Sequence, residues 1–264
     1  MYPPGTTGDS LLAPIAAPSG LGRRALGPVA IRRWRSSGPE PAPTRAAAVP
    51  AVVAAPADMT VELRACSERV RAMLETLERC DAYTAAHCTR VAALAELIAD
   101  GLCLRDEVRR RHLLLAALLH DVGKIDVPID VLHKPGRLEP AERAAIEAHV
   151  EAGVRRTGAL GPDVRTIIAQ HHERIDGAGY PCGLRGAAIR LEARIVAVAD
   201  AFDALTSDRP YRRATDARTA LAELVRSARP CAARQQFDPF VVDALARCFD
   251  RARRLCADAI DDAA

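Results

Sequence analysis

The sequence predicts an all-α fold, a helical bundle over residues 58–264, and two observations support this prediction. Ala, Leu and Arg are abundant there, and apolar residues recur at helical spacing between breaks at Pro and Gly. The 264-residue chain is also 49% apolar and 27% charged, which is typical of a soluble globular protein. We expect helices near residues 60–80, 84–100, 106–122, 139–158, 162–172, 191–207, 215–228 and 238–257.

Residues 1–57 differ in composition and are predicted to form a disordered tail. They contain ten of the 18 prolines, and their six arginines face only Asp9 and Glu40, which gives a net charge of +4. The rest of the chain carries a net charge of −1, so the pattern does not indicate a polycationic DNA-binding domain. We interpret the arginines around Trp34 as part of a solvated tail, with contact to nucleic acid or an anionic membrane as the alternative.

The sequence pattern indicates neither an integral membrane segment nor a disulfide framework. The longest stretch without a charged residue is residues 10–22, well short of the roughly 20 apolar residues that a bilayer crossing needs. The eight cysteines form no C-x-x-C pair. We therefore expect a cytoplasmic protein whose cysteines are buried small residues in a reducing compartment.

Glycine and proline interrupt the helical pattern most strongly between residues 174 and 190. A regular element does not tolerate this composition, so we expect a structured loop on the surface of the bundle. Loops of this kind often carry functional residues.

All seven histidines lie between residues 87 and 172, and five of them fall on apolar faces of the predicted helices. A single histidine in such a position is usually a hydrogen-bonded core residue. Five that converge on one interior leave nitrogen lone pairs that an apolar core cannot satisfy, whereas a divalent metal ion can. The five candidate ligands are His87, His120, His149, His171 and His172.

Two carboxylates accompany these histidines. Asp121 directly follows His120, and Asp200 lies on the otherwise apolar helix that includes residues 194–204. Five imidazoles and two carboxylates exceed the needs of one four-coordinate zinc ion but suit two adjacent transition-metal ions, and they argue against a magnesium-only site. Asp203, one helical turn after Asp200, is expected to contact a ligand or cap a helix rather than bind metal.

Two motifs in this region resemble a known family. The first, His-Asp-Val-Gly-Lys-Ile, begins at His120, and the second, His-His-Glu-Arg-Ile-Asp-Gly-Ala-Gly-Tyr-Pro, begins at His171. They resemble the HD-GYP subgroup of HD-domain metal-dependent phosphohydrolases; a His-Asp pair alone is a weak signal, but the extended second motif is specific. Further matches occur in family order at Tyr83-Thr84, Lys134-Pro135-Gly136, Arg194 to Asp203, Arg209 to Arg212 and Phe237-Asp238-Pro239.

The resemblance implies hydrolysis of cyclic di-GMP, to linear pGpG and/or GMP, at a two- or three-metal centre in an HD-type bundle with a GYP loop. It implies an HD-GYP domain over residues 58–264. Members thought to hold a third ion have a Glu where this chain has Tyr83, so we expect two ions, iron or manganese. One ion would take His87, His120, Asp121 and Asp200, and the other would take Asp121, His149, His171 and His172.

Two residues are the candidates for catalysis. Two ions that a carboxylate bridges can hold a hydroxide nucleophile between them, and Asp121 is the expected bridge. Lys124, one of only two lysines, is the expected cation for the charge that develops on the phosphoryl oxygens, with a surface lysine as the alternative. We expect Gly123 to end the helix and to turn Lys124 toward the mouth of the site.

Substrate contacts are expected from Lys124, the GYP loop and two arginines. Gly177 and Gly179 permit backbone turns, after which Tyr180 can stack on a guanine base. Alternatively, Tyr180 and Pro181 only close the edge of the bundle. The forked N–H donors of Arg209 and Arg212 suit phosphate or guanine, although either arginine could be a solvated surface residue. The full set of expected substrate contacts is Lys124, Gly179, Tyr180, Pro181, Arg209 and Arg212.

A second function from a different class stays open. The chain could be a non-catalytic module that binds the cyclic dinucleotide or docks a signalling protein such as a diguanylate cyclase, and a homodimer is compatible with either function. Retention of all seven ligand positions favours the enzyme, because a binding module has no need of them. A third candidate, an HD hydrolase acting on linear nucleotides, does not account for the GYP loop.

Overall fold

Within residues 61–208, 213–229 and 234–261, which the computed structural model describes, every regular element is a helix. The prediction of an all-α fold is therefore confirmed for these residues. The predicted tail of residues 1–57, and the candidates Arg209 and Arg212, lie outside them. In chain order the α-helices are α1 (Val61–Cys80), α2 (Ala82–Gly101), α3 (Glu107–Leu119), α4 (Ile129–Leu132), α5 (Pro140–Glu147), α6 (His149–Arg156), α7 (Pro162–Gln170), α8 (Leu191–Thr206), α9 (Ala217–Ser227), α10 (Pro239–Arg247) and α11 (Phe249–Asp261). Short 3₁₀ helices cover Val122–Asp126, Gly158–Leu160 and Gly186–Ala188.

Aspartates begin four of the helices. Asp81, Asp106, Asp216 and Asp238 precede α2, α3, α9 and α10, and each carboxylate accepts a hydrogen bond from a backbone N–H in the first turn. Such caps typically stabilise a helix by about 1 kcal/mol. The start of these helices is therefore determined by a local sequence signal.

Helix α2 lies at the centre of the bundle, which explains why its sequence is apolar on most faces. It packs against α1, α3, α8, α10 and α11. Leu94 and Ile98 of α2 and Phe202 of α8 are fully buried, and each stabilises the fold by about 1.5–3 kcal/mol. Since α2 carries His87 and α8 carries Asp200, both of these candidate ligands are held on closely packed helices.

Two predicted helices end early, and this changes the surroundings of candidate ligands. The helix predicted over residues 106–122 ends at Leu119, and the helix predicted over residues 162–172 ends at Gln170. The His-Asp and His-His pairs therefore lie in turns just beyond the helix ends. The physical reason is that the first histidine of each pair turns its ring to a carbonyl group of its own last helical turn.

Two other predicted helices are each divided in two. The helix predicted over residues 139–158 is interrupted at Ala148, and the one predicted over 238–257 is interrupted at Cys248. At both positions the backbone N–H is shared among carbonyls of the preceding turn, and such bonds tighten and end a helix. The first interruption allows His149 to begin a new helix.

The prediction about the cysteines is correct only in part. Cys88 and Cys256 are buried, but Cys80, Cys103 and Cys182 are exposed because they lie at a helix end, a tight turn and the glycine-rich loop. These five have free thiols in the structure. Among the described helices, none combines the length and apolar character that a bilayer crossing requires.

Candidate metal centre

Five segments of the chain meet at one interior site, and they bring all seven predicted ligands together. The ligands form two groups, and the donor atoms within each group lie within 4.8 Å of one another. The other two histidines lie apart from the cluster, at 3.6 Å from Asp163 (His112) and 3.6 Å from Asp81 (His133). The first group is His87, His120 and Asp200, and the second is Asp121, His149, His171 and His172.

Three of these histidines are oriented by the same local arrangement. The Nδ1 atoms of His120, His149 and His171 lie 2.8, 2.6 and 2.6 Å from the carbonyl oxygens of the residues three positions earlier. A carbonyl oxygen only accepts hydrogen bonds, so Nδ1 carries the hydrogen and Nε2 is left as the free donor atom. These carbonyls belong to the last turns of α3, α5 and α7, and carbonyls at helix ends commonly accept hydrogen bonds from side chains.

The Nε2 atoms converge in a way that requires positive charge between them. His149 Nε2 lies 3.4 Å from His171 Nε2, so two nitrogens that both keep lone pairs face each other. His120 Nε2 and Asp121 Oδ1 are buried and have no hydrogen-bond partner. Buried polar atoms are rarely left unpartnered, and a bound cation would satisfy all of these atoms at once. The residues therefore fit a metal centre.

Asp121 lies between the two groups. Its Oδ1 is 3.3 Å from His149 Nε2, and its Oδ2 is 3.4 Å from His120 Nε2. Burial alone would raise the pKa of Asp121, but Lys124 and His120 hold it well below the usual value, so the carboxylate is charged. One oxygen thus faces each group, which is the arrangement that a carboxylate shared by two ions needs.

Beyond the candidate ligands, a buried ion pair orients His87. Its Nδ1 lies 2.7 Å from Asp203 Oδ2, and Arg90 donates two hydrogen bonds to the same carboxylate, at 2.7 and 3.0 Å. Asp203 is fully buried, so this pair fixes the ring and directs His87 Nε2 to Asp200 Oδ1 at 3.1 Å. The expectation that Asp203 contacts a ligand agrees with this geometry, whereas nothing in the sequence pattern singled out Arg90.

The two groups differ in their charge preference. Burial lowers the pKa of His87, but hydrogen bonds with Asp200 and Asp203 outweigh it and raise the value to about 9. Burial and the neighbouring imidazoles lower the pKa of His171, and mainly burial lowers that of His172 to about 4. The first group therefore attracts positive charge through Asp200 and the neighbouring Asp203. In the second group, His171 and His172 stay neutral.

The site opens to solvent on one side. The side chains of Asp200 and Lys124 are 20% and 21% exposed, whereas those of His87 and Asp121 are 4% and 3% exposed. Lys124 Nζ donates a hydrogen bond to Asp121 Oδ2 at 2.5 Å. The Tyr180 ring packs on His172 at a centroid distance of 4.7 Å and an interplanar angle of 31°.

Glu173, which the sequence analysis did not select, holds the glycine-rich loop in place. It is buried and accepts hydrogen bonds from the backbone N–H groups of Cys182 and Leu184, at 2.7 and 2.9 Å. A Cβ at Gly179 would lie 2.5 Å from the carbonyl oxygen of His172, so the close approach of the loop to the His-His turn requires glycine. The prediction of a structured loop is confirmed.

The role predicted for Gly123 is wrong, because α3 ends four residues earlier, at Leu119. Instead, Gly123 permits a close approach: a Cβ there would lie 1.9 Å from the carbonyl oxygen of His149. The 3₁₀ turn after Asp121 can therefore pack directly on α6. This contact brings Asp121 and His149 side by side.

Comparisons with known proteins identify the family of this chain. A model of the HD domain family matches residues 63–239. A cyclic di-GMP phosphodiesterase response regulator of Xanthomonas campestris is 42% identical over 203 residues, which cover 72% of this chain and 50% of that protein. A 3'3'-cGAMP-specific phosphodiesterase of Vibrio cholerae is 44% identical over 142 residues, which cover 53% of this chain and 31% of that protein. This chain spans half or less of the length of these curated relatives.

The fold is similar to that of a solved HDG"Y"P protein from Bdellovibrio bacteriovorus, with a TM-score of 0.51 and 24% identity, covering 62% of this chain and 51% of that chain. At this level of identity, the likeness concerns the fold alone. The family model covers well over half of this chain and includes all seven candidate ligands. The resemblance drawn from the sequence is therefore confirmed, and the chain belongs to the HD domain family.

Proposed function

We propose that this chain is a metal-dependent phosphodiesterase that hydrolyses cyclic di-GMP to linear pGpG, to GMP or to both. The observation that carries the proposal is the pair of adjacent donor groups around Asp121, open to solvent beside Lys124. A site for two neighbouring cations with one open side suits attack on a phosphodiester. The names of relatives in Xanthomonas campestris and Pseudomonas aeruginosa, both cyclic di-GMP phosphodiesterases, support the choice of substrate.

The proposed centre holds two ions, iron or manganese. Imidazole and carboxylate donors suit first-row transition metals, and the unpartnered His120 Nε2 and Asp121 Oδ1 support ligand roles for both residues. Tyr83 offers no carboxylate one turn before His87, which supports two ions rather than three. One ion is assigned to His87, His120, Asp121 and Asp200, and the other to Asp121, His149, His171 and His172.

When bound, such ions polarise the phosphoryl oxygens and lower the pKa of the attacking water. Lys124 supplies a further positive charge. One of its three N–H donors is bonded to Asp121, so two remain for phosphoryl oxygens. Burial lowers the pKa of Lys124, but Asp121 outweighs it and raises the value above the usual one, so the ammonium stays charged as negative charge develops on the substrate.

The GYP loop is proposed to bind a guanine base. One face of the Tyr180 ring packs on His172, and the residue is half-buried, so the other face is proposed to stack on the base. Burial raises the pKa of the Tyr180 hydroxyl, so it remains a hydrogen-bond donor. Gly179 and Pro181 set the position of this ring. Contacts from Arg209 and Arg212 to phosphate or guanine stay a prediction, since both lie outside the described residues.

The test is purification of the full chain without oxygen, metal analysis and incubation with cyclic di-GMP, followed by separation of the products. We expect about two transition-metal ions per chain and formation of pGpG or GMP. His171→Gln should abolish hydrolysis because it removes a ligand, whereas His112→Gln, outside the cluster, should keep it.

Three outcomes would contradict parts of the proposal. Binding of cyclic di-GMP by metal-loaded protein without any product would favour the non-catalytic module. Hydrolysis of 3'3'-cGAMP, the substrate named for a relative in Vibrio cholerae, at a higher rate than that of cyclic di-GMP would show that 3'3'-cGAMP is the preferred substrate. A single ion per active chain would overturn the two-ion centre.

A further inference from the structure

Cys88 lies beside the candidate metal centre, although neither motif includes it. It is the residue after His87 on α2, and its side chain is fully buried. Its Sγ, a ring nitrogen of His120 and a carboxylate oxygen of Asp121 all lie within 4.8 Å of one another. Among the six cysteines whose side chains the structure describes, Cys88 alone belongs to such a group of metal-ligating side chains.

We propose that the Cys88 thiol is a sulfur ligand of the ion assigned to His87, His120, Asp121 and Asp200. This inference rests on the metal centre of the proposed function. Typical zinc bonds are about 2.3 Å to sulfur and about 2.0–2.1 Å to nitrogen, so two ligands of one ion lie at most about 4.4 Å apart. The three donor atoms lie within 4.8 Å of one another, a limit similar to this span.

An unpartnered atom supports a cation beside the sulfur. His120 Nε2 has no hydrogen-bond partner, and the residue is 1% exposed. On this buried side of the ion, a further ligand has to come from the protein. The thiol is the one soft donor available there, and on binding it would release its proton to solvent.

A sulfur ligand would make the two ions chemically different. The group of Asp121, His149, His171 and His172 offers only nitrogen and oxygen donors, whereas the other group would add sulfur. Thiolate favours softer ions such as zinc, and carboxylate with imidazole also accepts manganese or iron. The ion near Cys88 should therefore exchange more readily for zinc or cobalt than the other ion does.

The test is a cobalt titration of the metal-free full chain, read by absorption in the near ultraviolet, where thiolate-to-cobalt charge transfer appears. We expect this band in the wild type, its loss in Cys88→Ser and its retention in Cys80→Ser, which replaces an exposed cysteine. Cobalt bound to the wild type without the band, or a band that persists in Cys88→Ser, would overturn the proposal.

X-ray absorption on the zinc-loaded wild type decides the question if Cys88→Ser does not fold. A sulfur shell at about 2.3 Å supports the proposal, and a shell of nitrogen and oxygen alone overturns it. Hydrolysis of cyclic di-GMP is measured on iron- or manganese-loaded protein from the same preparation. Activity without a sulfur signal refutes the Cys88 ligand only, and a sulfur signal without hydrolysis refutes the proposed function only.

Discussion

Replacing Gly123 by Ala tests the contact that joins the two halves of the candidate centre. The added Cβ would lie 1.9 Å from the carbonyl oxygen of His149 and 2.5 Å from the backbone nitrogen of Gly153, whereas real Cβ contacts essentially never fall below 3.0 Å. The turn and α6 must separate by at least 1.1 Å to relieve the closer contact. Both atoms are backbone atoms that no side-chain rotation can move, so we expect a loss of about 3 kcal/mol, the upper end for overpacking.

The measurement is urea and thermal unfolding of the metal-free full chain, so that stability does not depend on bound ions. A loss of 3 kcal/mol corresponds to a midpoint temperature lower by about 6–12 °C for a domain of this size. Gly158→Ala is the matched control, because nothing lies within 4 Å of its added Cβ, and it should stay within about 1 kcal/mol of the wild type. An equally small effect of Gly123→Ala would refute the close-approach argument.

Displacement of α6 should also affect activity. His149 Nε2 lies 3.3 Å from Asp121 Oδ1, and these two residues belong to the elements that must separate. A misplacement of about 1 Å at a catalytic site can cost about 100-fold in rate. The folded fraction of Gly123→Ala should therefore hydrolyse cyclic di-GMP about 100-fold more slowly, whereas Gly158→Ala should match the wild type.

Three other changes test the support of His87, the number of ions and the tail. Asp203→Asn should lower the free energy of unfolding by about 3 kcal/mol, measured by denaturation, because it leaves Arg90 without its buried partner. It should also weaken metal binding about 10- to 100-fold, measured by metal titration. Tyr83→Glu should add a third ion by elemental analysis, since it places a carboxylate one turn before His87, and an unchanged count in folded protein contradicts this. A chain that begins at Asp58 should keep wild-type turnover, and loss of activity in a folded sample would assign the tail a role.

Most of the helical fold was predictable because its signals are local. Aspartate caps and helical spacing of apolar residues mark the starts of α2 and α3 within two residues. The ends of α3 and α7 were not predictable, because a histidine at that position can either continue the helix or bond a carbonyl of the last turn. Packing around the site selects the second conformation, and helical periodicity carries no information about it.

The candidate ligands were predictable by chemical type, because an apolar core cannot satisfy the lone pairs of several imidazoles that converge on it. Of the residues that support them, Asp203 was expected from its position one turn after Asp200, but Arg90 and Glu173 were not. Arg90 is one of 35 arginines, and Glu173 is a carboxylate whose partners are backbone N–H groups. Such residues look like ordinary surface charges in a sequence. Only the three-dimensional arrangement reveals that they are buried and that each orients a part of the centre.

The orientation of the imidazoles by helix ends has an energetic consequence. Because Nδ1 of His120, His149 and His171 is already bonded to a backbone carbonyl, the rings need little reorientation when a metal ion binds. The energetic cost of holding the rings in this orientation falls on the metal-free chain. There the Nε2 atoms of His149 and His171 face each other at 3.4 Å without a cation between them. Metal binding relieves this repulsion, so it should stabilise the folded chain in proportion to the logarithm of free metal concentration. The same local bonds that prepare the site for metal therefore couple the stability of the bundle to its occupancy.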